Sequence, residues 1–448
     1  MRSEECVERI MAQVKDAVES LFAQSKEWRG GHWLFDAEHA TREAMLDAAR
    51  VVLQSLVDRR GTGHVGQWHE DEEGERRKFK EYVTRPVDTL VGRITIRRAS
   101  YHSSTATPGT VQPLDEQLGL RFEFSEGVEE VVAFDASQLT YKETVGVVEK
   151  ALGLQLSETA VQDIAERWGQ EVMETRTPRL PREPVVSRMA VAVDAAKIRT
   201  ATRRRKRKGS RKQRFEEHWT DAKLGVVYGF DRRGRGNSDK RYMASLRGKE
   251  AFGPLLWAQI EASGADRAKH IAWLGDGAEW IWSLKDEHLP HATEILDFQH
   301  AQDYLKSVAG AVWPANASCA ARWVESRKKR LLHGKVRALI TELKELARRV
   351  GPPPAKAAPD DPKKIVASSV TYFEHNILRM QYHVYLRMGY PISSGVVESG
   401  CRHVIQHRMK ITGSMSWSGD RAETMLQLRC LVRSGQWDRF WSLNRIAA

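Results

Sequence analysis

Met189-Ala-Val-Ala-Val-Asp194 is the stretch of sequence on which the fold prediction rests. Its apolar residues fall on both faces of an extended chain, which is typical of a strand buried within a sheet. A second strand is predicted by the alternating residues Leu224, Val226, Tyr228 and Phe230. Short apolar runs at 270–274 and 295–296 predict two more strands, and a helical pattern precedes them at 249–263. Strands interleaved with helices predict an α/β fold.

The sequence before this part predicts a mainly helical N-terminal region at residues 1–75. Apolar residues spaced by three and four between Val7 and Leu21 fit a helix that packs on its own domain or one that pairs with a second chain. A strand and loop region follows at 76–135. Residues 136–174 have the pattern of a helix-turn-helix whose second helix ends at Gly169. Because that helix is largely acidic, a plain helical hairpin is the alternative to a DNA reader.

Three prolines within residues 175–186 predict a linker and a domain boundary. The α/β part then occupies 187–307 and resumes at 391–448. Between these two pieces, residues 308–390 are helical in pattern, rich in Arg and Lys, and interrupted by proline-rich turns. They predict an all-helical insertion into the α/β part.

The charge balance indicates a polyanionic partner. The chain has 71 Lys and Arg against 59 Asp and Glu, a net charge of +12, and such an excess favours binding to nucleic acid or other anions. Nine of the twelve residues in 203–214 are Lys or Arg. This run is either a solvated loop or a set of phosphate contacts.

The composition also predicts the compartment. No run of about 20 apolar residues is present, so no membrane span is expected. No apolar segment typical of a signal peptide follows the N-terminus. The four cysteines are far apart and form no CxxC pair, which predicts reduced thiols in a cytoplasmic protein rather than disulfides or a zinc cluster.

Three acidic residues, Asp194, Asp276 and Glu398, stand at the edges of apolar elements. A buried carboxylate loses its hydration unless a cation pairs with it. Two Mg²⁺ ions about 4 Å apart, held by three carboxylates, can clamp an in-line phosphoryl displacement, and Mn²⁺ can substitute for them. Each residue taken alone also fits a structural role at a strand end, a turn or a helix start.

The segments around these carboxylates carry a family resemblance: Val191–Asp194, Trp273–Trp280, Leu296–His300 and Tyr390–Cys401. Pieces at 113–120, 408–417 and 428–429 extend it. In this order they resemble the bacterial insertion-sequence transposases of the DDE type, specifically the ISKra family of the Mutator-like lineage. The resemblance covers the chain from about residue 75 onward.

The resemblance implies an RNase-H-like mixed-sheet core with a helical insertion between its fifth strand and last helix. It implies that Asp194, Asp276 and Glu398 are the catalytic metal ligands. Asp297 and His300 match a C/D-x-x-H motif that lies near the active site, so both are candidate catalytic residues. By this resemblance His300 orients the scissile phosphate or a ligand carboxylate.

One difference from the family lies in the region 76–135. Relatives carry cysteines of a small zinc-binding knuckle in the stretch where this chain has Ser103, Ser104, Thr105 and Thr107. Since no thiolate is present there, we expect a degenerate knuckle without zinc.

The expected partner is double-stranded DNA, both as transposon ends and as target. Pairing two ends predicts a homodimer or higher oligomer in the bacterial nucleoid. We expect Trp273, Trp280 and Trp282 to pack in the core rather than stack on bases. Basic residues near the proposed ligands are the candidate phosphate contacts: Lys197, Arg199, Arg203, Arg204, Arg205, Lys206, Arg207, Lys208, Arg211, Lys212, Arg402, Arg408 and Lys410.

The predicted function is Mg²⁺-dependent cleavage at transposon ends followed by strand transfer into target DNA. Two alternatives stay open: a non-catalytic DNA-binding protein (a domesticated transposase or helix-turn-helix regulator), and an RNase-H-like nuclease without strand transfer. A tyrosine recombinase is excluded because it needs a tyrosine nucleophile after the Arg402-His403 pair, and the last tyrosine is Tyr390.

Overall fold

A computed structural model describes residues 3–71, 74–103, 109–179, 186–204, 214–411 and 416–447 of the chain. The chain forms two compact units. Unit 1 comprises Met1–Ile164 with Asn444–Ala448, and unit 2 comprises Ala165–Leu443. Each unit contains one sheet. No helix in the described ranges is long and apolar enough to cross a membrane.

Unit 1 begins with two helices, α1 (Ser3–Gln24) and α2 (Trp33–Arg59). An antiparallel sheet follows, in the order β1 (Trp68–Glu70), β2 (Arg76–Thr89), β3 (Gly92–Ser103) and β4 (Gly109–Val111). The next helices are α3 (Pro113–Gln117), α4 (Glu126–Gln138) and α5 (Tyr141–Leu152). The buried core of this sheet contains Val87, Ile94, Ile96 and Leu114.

The two helices predicted as a helix-turn-helix are present, but the second is longer than expected. Helix α5 starts with a capping box between Thr140 and Glu143 and ends at Gly153, which is left-handed at φ 69°. Helix α6 runs over Glu158–Arg179, so the predicted end at Gly169 is wrong. A Cβ at Gly169 would lie 2.6 Å from Thr424. Glycine is therefore present there for close packing, and the first part of the predicted linker is helical.

Unit 2 contains the larger sheet, which confirms the predicted mixed α/β fold. Its strands are β5 (Arg188–Arg204), β6 (Arg214–Phe230), β7 (Gly236–Ser245), β8 (His270–Gly275) and β9 (Thr293–Leu296). Their order is β7-β6-β5-β8-β9. The first three pair antiparallel, whereas β8 and β9 run parallel to β5. Strand β7 is not among the strands predicted from the sequence, because this edge strand is polar and has no apolar period.

Helices surround this sheet and also form the region between β9 and the last α/β segment. They are α7 (Lys249–Ala262), α8 (Glu279–His288), α9 (Phe298–Val312), α10 (Ala317–Leu332), α11 (Val336–Val350), α12 (Pro362–His375), α13 (Tyr382–Arg387), α14 (Gly395–Gly400), α15 (His407–Met409), α16 (Gly419–Arg433) and α17 (Trp437–Ala447). A π-helical segment, Cys401–Gln406, joins α14 to α15. Short 3₁₀ turns lie at Ala265–Arg267 and Ile377–Arg379.

Strand β5 continues ten residues beyond Asp194, so the expectation that Asp194 is near the strand end is wrong. The parallel pairing with β8 stops at Ala192, two residues before Asp194. From residue 196 outward, β5 and β6 pair with each other as far as Arg204 opposite Arg214. We call this two-stranded extension, 196–204 with 214–222, the ribbon. The antiparallel ladder supplies its own backbone partners, so the strand does not need β8 to continue.

Candidate functional site

Three neighbouring strands place a carboxylate at the same edge of the larger sheet. Asp194 follows the last β5 residue that pairs with β8, Asp276 directly follows β8, and Asp297 directly follows β9. Because these strands are parallel, their carboxyl ends meet at one edge, which is where α/β sheets bind ligands. The backbone N–H of Asp297 donates to the Gly275 carbonyl at 2.8 Å and fixes two of these ends together.

Asp194 is partly buried in a setting that disfavours its charged form. One carboxylate oxygen accepts the Ala195 N–H at 2.7 Å, and the other accepts the Cys401 thiol at 3.5 Å. Burial raises the pKa of Asp194, and the nearby negative charge of Asp276 raises it further. The second effect is expected when a like charge lies nearby.

The turn that carries Asp276 is supported by a helix from the region after β9. Its side chain accepts the Ala278 N–H at 2.9 Å, which closes the turn after β8. The Tyr372 hydroxyl of α12 donates to the Asp276 backbone carbonyl at 2.8 Å. The Tyr372 ring stacks on Tyr304 of α9, with centroids 3.7 Å apart. Position 277, at φ 106°, needs glycine, and a Cβ there would lie 2.9 Å from the Tyr372 ring.

Glu398 reaches the same edge from α14. Burial raises its pKa, and the Asp297 charge adds to that shift. Cys401 lies three residues later on the same face of the helix, which explains its contact with Asp194. The following π-helical segment is an irregularity of the kind often found at functional sites.

Asp297 is fully buried and its oxygens are saturated. One oxygen accepts the N–H groups of Gln299 (3.2 Å) and Ser394 (2.8 Å). The other accepts the N–H of His300 (3.1 Å) and its Nδ1 (2.6 Å). Burial alone would raise the pKa of Asp297, but the hydrogen bonds from His300 and Ser394 outweigh burial and lower it. Asp297 thus caps α9 and fixes the start of α14.

His300 is the cation of the cluster. Its hydrogen bond with Asp297 raises its pKa to about 9, against the opposing effect of burial, and the charges of Asp194 and Asp276 contribute. In the metal-free protein the ring therefore carries a proton at neutral pH. With Nδ1 held by Asp297, Nε2 is the ring atom left for a ligand or substrate.

The donor set fits a divalent cation. Among the described residues, ligand atoms of Asp297, His300 and Glu398 lie within 4.8 Å of one another. Asp297 already accepts four hydrogen bonds, about the number of its lone-pair sites, so it has little capacity left for a metal. Asp194, Asp276 and Glu398 are the carboxylates that retain that capacity. A cation would offset the burial and the neighbouring negative charges that raise the pKa of Asp194 and Glu398.

The predicted phosphate contacts lie in different settings. On the ribbon, Lys197 pairs with Asp221 at 3.0 Å and Arg199 with Glu217 at 3.3 Å. Arg203 is exposed there, and Arg204 pairs with Glu216. Six of the predicted residues lie outside the described ranges: Arg205, Lys206, Arg207, Lys208, Arg211 and Lys212.

The C-terminal contacts need one correction. Arg402 and Lys410 are exposed, as a phosphate contact requires. Arg408 is fully buried, with its guanidinium 5.0 Å from the Trp417 ring centroid, and this burial does not fit a direct phosphate contact. The sequence shows only its charge, and not that the helix turns it inward.

The tryptophan prediction is confirmed for the two most buried rings. Trp273 is 0% and Trp282 4% exposed, so both pack in the core. Trp280 is partly exposed, and the Lys223 ammonium lies 5.3 Å from its ring centroid.

Three residues that contact the cluster are not among the predicted site residues: Cys401, Tyr372 and Ser394. The spacing of three between Glu398 and Cys401 on a helix is a signal that could have indicated the first. Tyr372 is 96 residues from the carbonyl that it binds. Its contact depends on how the helices after β9 pack, for which the sequence has no local pattern.

Comparison with protein-family models gives no match to this chain. Comparison with curated proteins also gives none. Among solved structures, the chain is similar to the Drosophila P element transposase strand transfer complex, with 11% sequence identity and a TM-score of 0.35. The alignment covers 72% of this chain and 95% of that one. At this level of similarity the functional argument rests on the site. Fold and site together define a mixed α/β protein with an acidic cluster and one cationic histidine at its sheet edge.

Gly400 allows α14 to lie close to the sheet. A Cβ there would lie 2.8 Å from the Tyr242 ring and 2.9 Å from Leu224. We expect Gly400→Ala to destabilise the protein by about 1–3 kcal/mol through overpacking, and to reduce any activity that depends on Glu398. Thermal unfolding measures the first effect. Gly310→Ala is the matched helical control, because a Cβ at Gly310 meets nothing within 4 Å. An equal response of both variants would contradict the close-packing argument.

Tyr372→Phe removes the hydroxyl that holds the Asp276 carbonyl and retains the ring. We expect a loss of about 1 kcal/mol in the free energy of unfolding. We also expect weaker binding of Mg²⁺ or Mn²⁺, because the turn that carries Asp276 loses a support. Calorimetric titration with Mn²⁺ measures the second effect. Tyr304→Phe is the control, since it retains the stacked pair and the bond to Asp276. Unchanged Mn²⁺ affinity in Tyr372→Phe would show that the hydroxyl does not support the site.

Proposed function

We propose that this chain is a DNA transposase of the DDE type that cleaves transposon ends and transfers the freed strands into target DNA. The observation that supports it is the position of Asp194 and Asp276 at one sheet edge, with Glu398 of α14 and His300 of α9 close enough to share charge effects with Asp194. Three carboxylates from separate elements, two with raised pKa, are an arrangement that a divalent cation would stabilise.

The layout of unit 2 also supports the proposal. A five-stranded mixed sheet comes first, helices α9 to α13 follow its fifth strand, and the helix with Glu398 comes after them. This is the order implied by the resemblance, an RNase-H-like core with a helical insertion before its last helix. The assignment to the ISKra family is part of the same proposal, and inverted repeats bracketing the reading frame would support it.

Asp194, Asp276 and Glu398 would hold Mg²⁺, or Mn²⁺ as a substitute. When bound, the metal supplies a Lewis acid for a phosphodiester and lowers the pKa of bound water. Asp297 fixes the ring of His300 and the start of α14, so it is a positioning residue. His300, protonated at neutral pH, can donate from Nε2 to a phosphate oxygen and so orient it. Exposed Arg and Lys on the ribbon would bind the DNA backbone.

The test is a cleavage and joining assay. The full-length protein is incubated with Mg²⁺ and labelled DNA that carries the sequences flanking its own reading frame, together with a target plasmid. We expect nicked ends with a free 3′-OH and joined products in Mg²⁺, and neither in EDTA. Cleavage without joining would identify a nuclease instead. Tight DNA binding without either product in Mg²⁺ or Mn²⁺ would identify a non-catalytic DNA-binding protein.

A further inference from the structure

One face of the ribbon exposes two large aromatic rings beside basic residues. Trp219 is 64% exposed and Phe215 is 62% exposed. Their cross-strand partners are Arg199 and Arg203. Trp219 is more exposed than any other tryptophan among the described residues. Rings this exposed are a feature of binding surfaces, because an aromatic side chain has much apolar area to bury.

The ribbon is fixed rather than free-standing. Ala196, Ile198 and Thr200 of β5 are buried on its inner face. Since side chains alternate along a strand, the register places the other set on the outer face: Lys197, Arg199, Arg203, Phe215 and Trp219. The Ala201 N–H donates to the Trp417 carbonyl at 2.7 Å, and the Trp417 N–H donates to the Arg199 carbonyl at 3.2 Å. The outer face is therefore a preformed platform.

The charges around this platform fit an anionic strand. The Lys410 ammonium lies 6.0 Å from the Trp219 ring centroid. The ion pairs of Lys197 with Asp221 and Arg199 with Glu217 have acids that are 52% and 51% exposed. Surface pairs of this kind contribute little stability, so a phosphate can replace the acid at small cost. Residues 205–213, which lie outside the described ranges, contain six further Lys and Arg in the sequence.

We propose that this outer face is a stacking platform for unpaired bases of DNA bound near the carboxylate cluster. Aromatic rings stack on any base, while neighbouring cations follow the backbone of a single strand. Arg199, opposite Trp219, lies five residues along β5 from Asp194, which is roughly 17 Å in an extended strand. By the same alternation Asp194 belongs to the inner set, so a single strand would pass around the edge of β5 between the cluster and the platform. Unpaired nucleotides beside the proposed cleavage site would span the distance between the carboxylate cluster and the platform. The inference rests on the proposed function only for the identity of the nucleic acid.

The test measures binding of labelled DNA by the full-length protein in EDTA, so that cleavage plays no part. The probes are an oligo-dT strand, a blunt duplex, and the same duplex with a single-stranded overhang. We expect Trp219→Ala to weaken binding of the strand and the overhang duplex by about 5- to 100-fold, the range of base–aromatic stacking. Blunt-duplex affinity and the slope of log Kd against log salt should not change, since no phosphate contact is removed. Arg199→Ala should instead reduce that slope for every probe.

Trp219→Phe should retain most of the affinity, and Trp33→Ala is the control for loss of an exposed tryptophan (48% exposed) elsewhere. Four results would overturn the inference: no loss in Trp219→Ala, an equal loss for the blunt duplex, tighter binding of the same sequence as RNA, or a changed oligomeric state without loss of affinity. Failure of the proposed function is distinguishable from these, since it would appear as absent Mg²⁺-dependent cleavage while the Trp219-dependent binding persists.

Discussion

We expect the replacement of Asp194 by asparagine to remove most of the proposed DNA cleavage and to leave the metal-free protein as stable as wild type or more stable. Burial and the Asp276 charge raise the pKa of Asp194 in the folded protein. A raised pKa means that the folded state favours the protonated acid, so ionisation at neutral pH destabilises it relative to the unfolded chain. Asparagine removes that charge and retains the shape, which should stabilise the metal-free protein by up to about 1 kcal/mol.

The same substitution removes a carboxylate that would hold the metal. Electrostatic stabilisation by a metal ion is worth several kcal/mol, so we expect the cleavage rate to fall by at least about a hundredfold. Thermal unfolding with and without Mn²⁺ should show a large metal-induced rise in Tm for wild type and a smaller one for Asp194→Asn. Glu398→Gln should behave in the same way, because its pKa is also raised by burial and a neighbouring carboxylate.

Asp239→Asn is the matched control, since this exposed aspartate is on β7 of the same sheet and pairs with Arg241 at 3.0 Å. It should change neither the cleavage rate nor the response to Mn²⁺. Cleavage at the wild-type rate in Asp194→Asn would refute the proposed role of the carboxylate cluster. A strongly destabilised but active variant would show that Asp194 is structural.

The sequence predicts the elements that hold the cluster because their signals are local. The apolar stretch 189–193 ends at Asp194, and short apolar runs end at Asp276 and Asp297, so strand and carboxylate are recognisable together. In the sequence, only the family resemblance predicts that Glu398 lies beside Asp194 and Asp276. Its geometry depends on Gly400 lying against Tyr242 and Leu224, which is a tertiary contact.

Other features have no local signal. The polar edge strand β7 is specified by its pairing with β6 and not by an apolar period. The burial of Arg408 and the bond from Tyr372 to Asp276 are decided by packing between distant segments. Asp297 matches a motif in the sequence, but only the structure shows that four N–H donors occupy its oxygens. We therefore propose that Asp297 is a positioning residue.

Asp297→Ala is expected to have the largest effect on stability. The carboxylate is fully buried, and its removal leaves three backbone N–H groups and the His300 ring without their acceptor. Removing one partner of a buried ion pair typically destabilises a protein by about 3–5 kcal/mol. Asp361→Ala is the matched control, because Asp361 caps α12 through two N–H groups with no histidine partner. The loss of that cap alone should be about 1 kcal/mol.

Chemical denaturation measures the free energy of unfolding of both variants. The difference between their losses gives the contribution of the contacts that Asp297 makes with His300 and with the start of α14.

The contribution of the ion pair between Asp297 and His300 also depends on pH in the metal-free protein. Because the folded pKa of His300 is raised from 6.5 to about 9, this contribution is complete below pH 6.5 and declines as the pH rises through about 9. Asp297→Asn should fold more readily than the alanine variant, and NMR titration should show a lowered His300 pKa. A His300 pKa that stays near 9 in Asp297→Asn would contradict the positioning role proposed for Asp297, because other groups would then hold the proton on the ring.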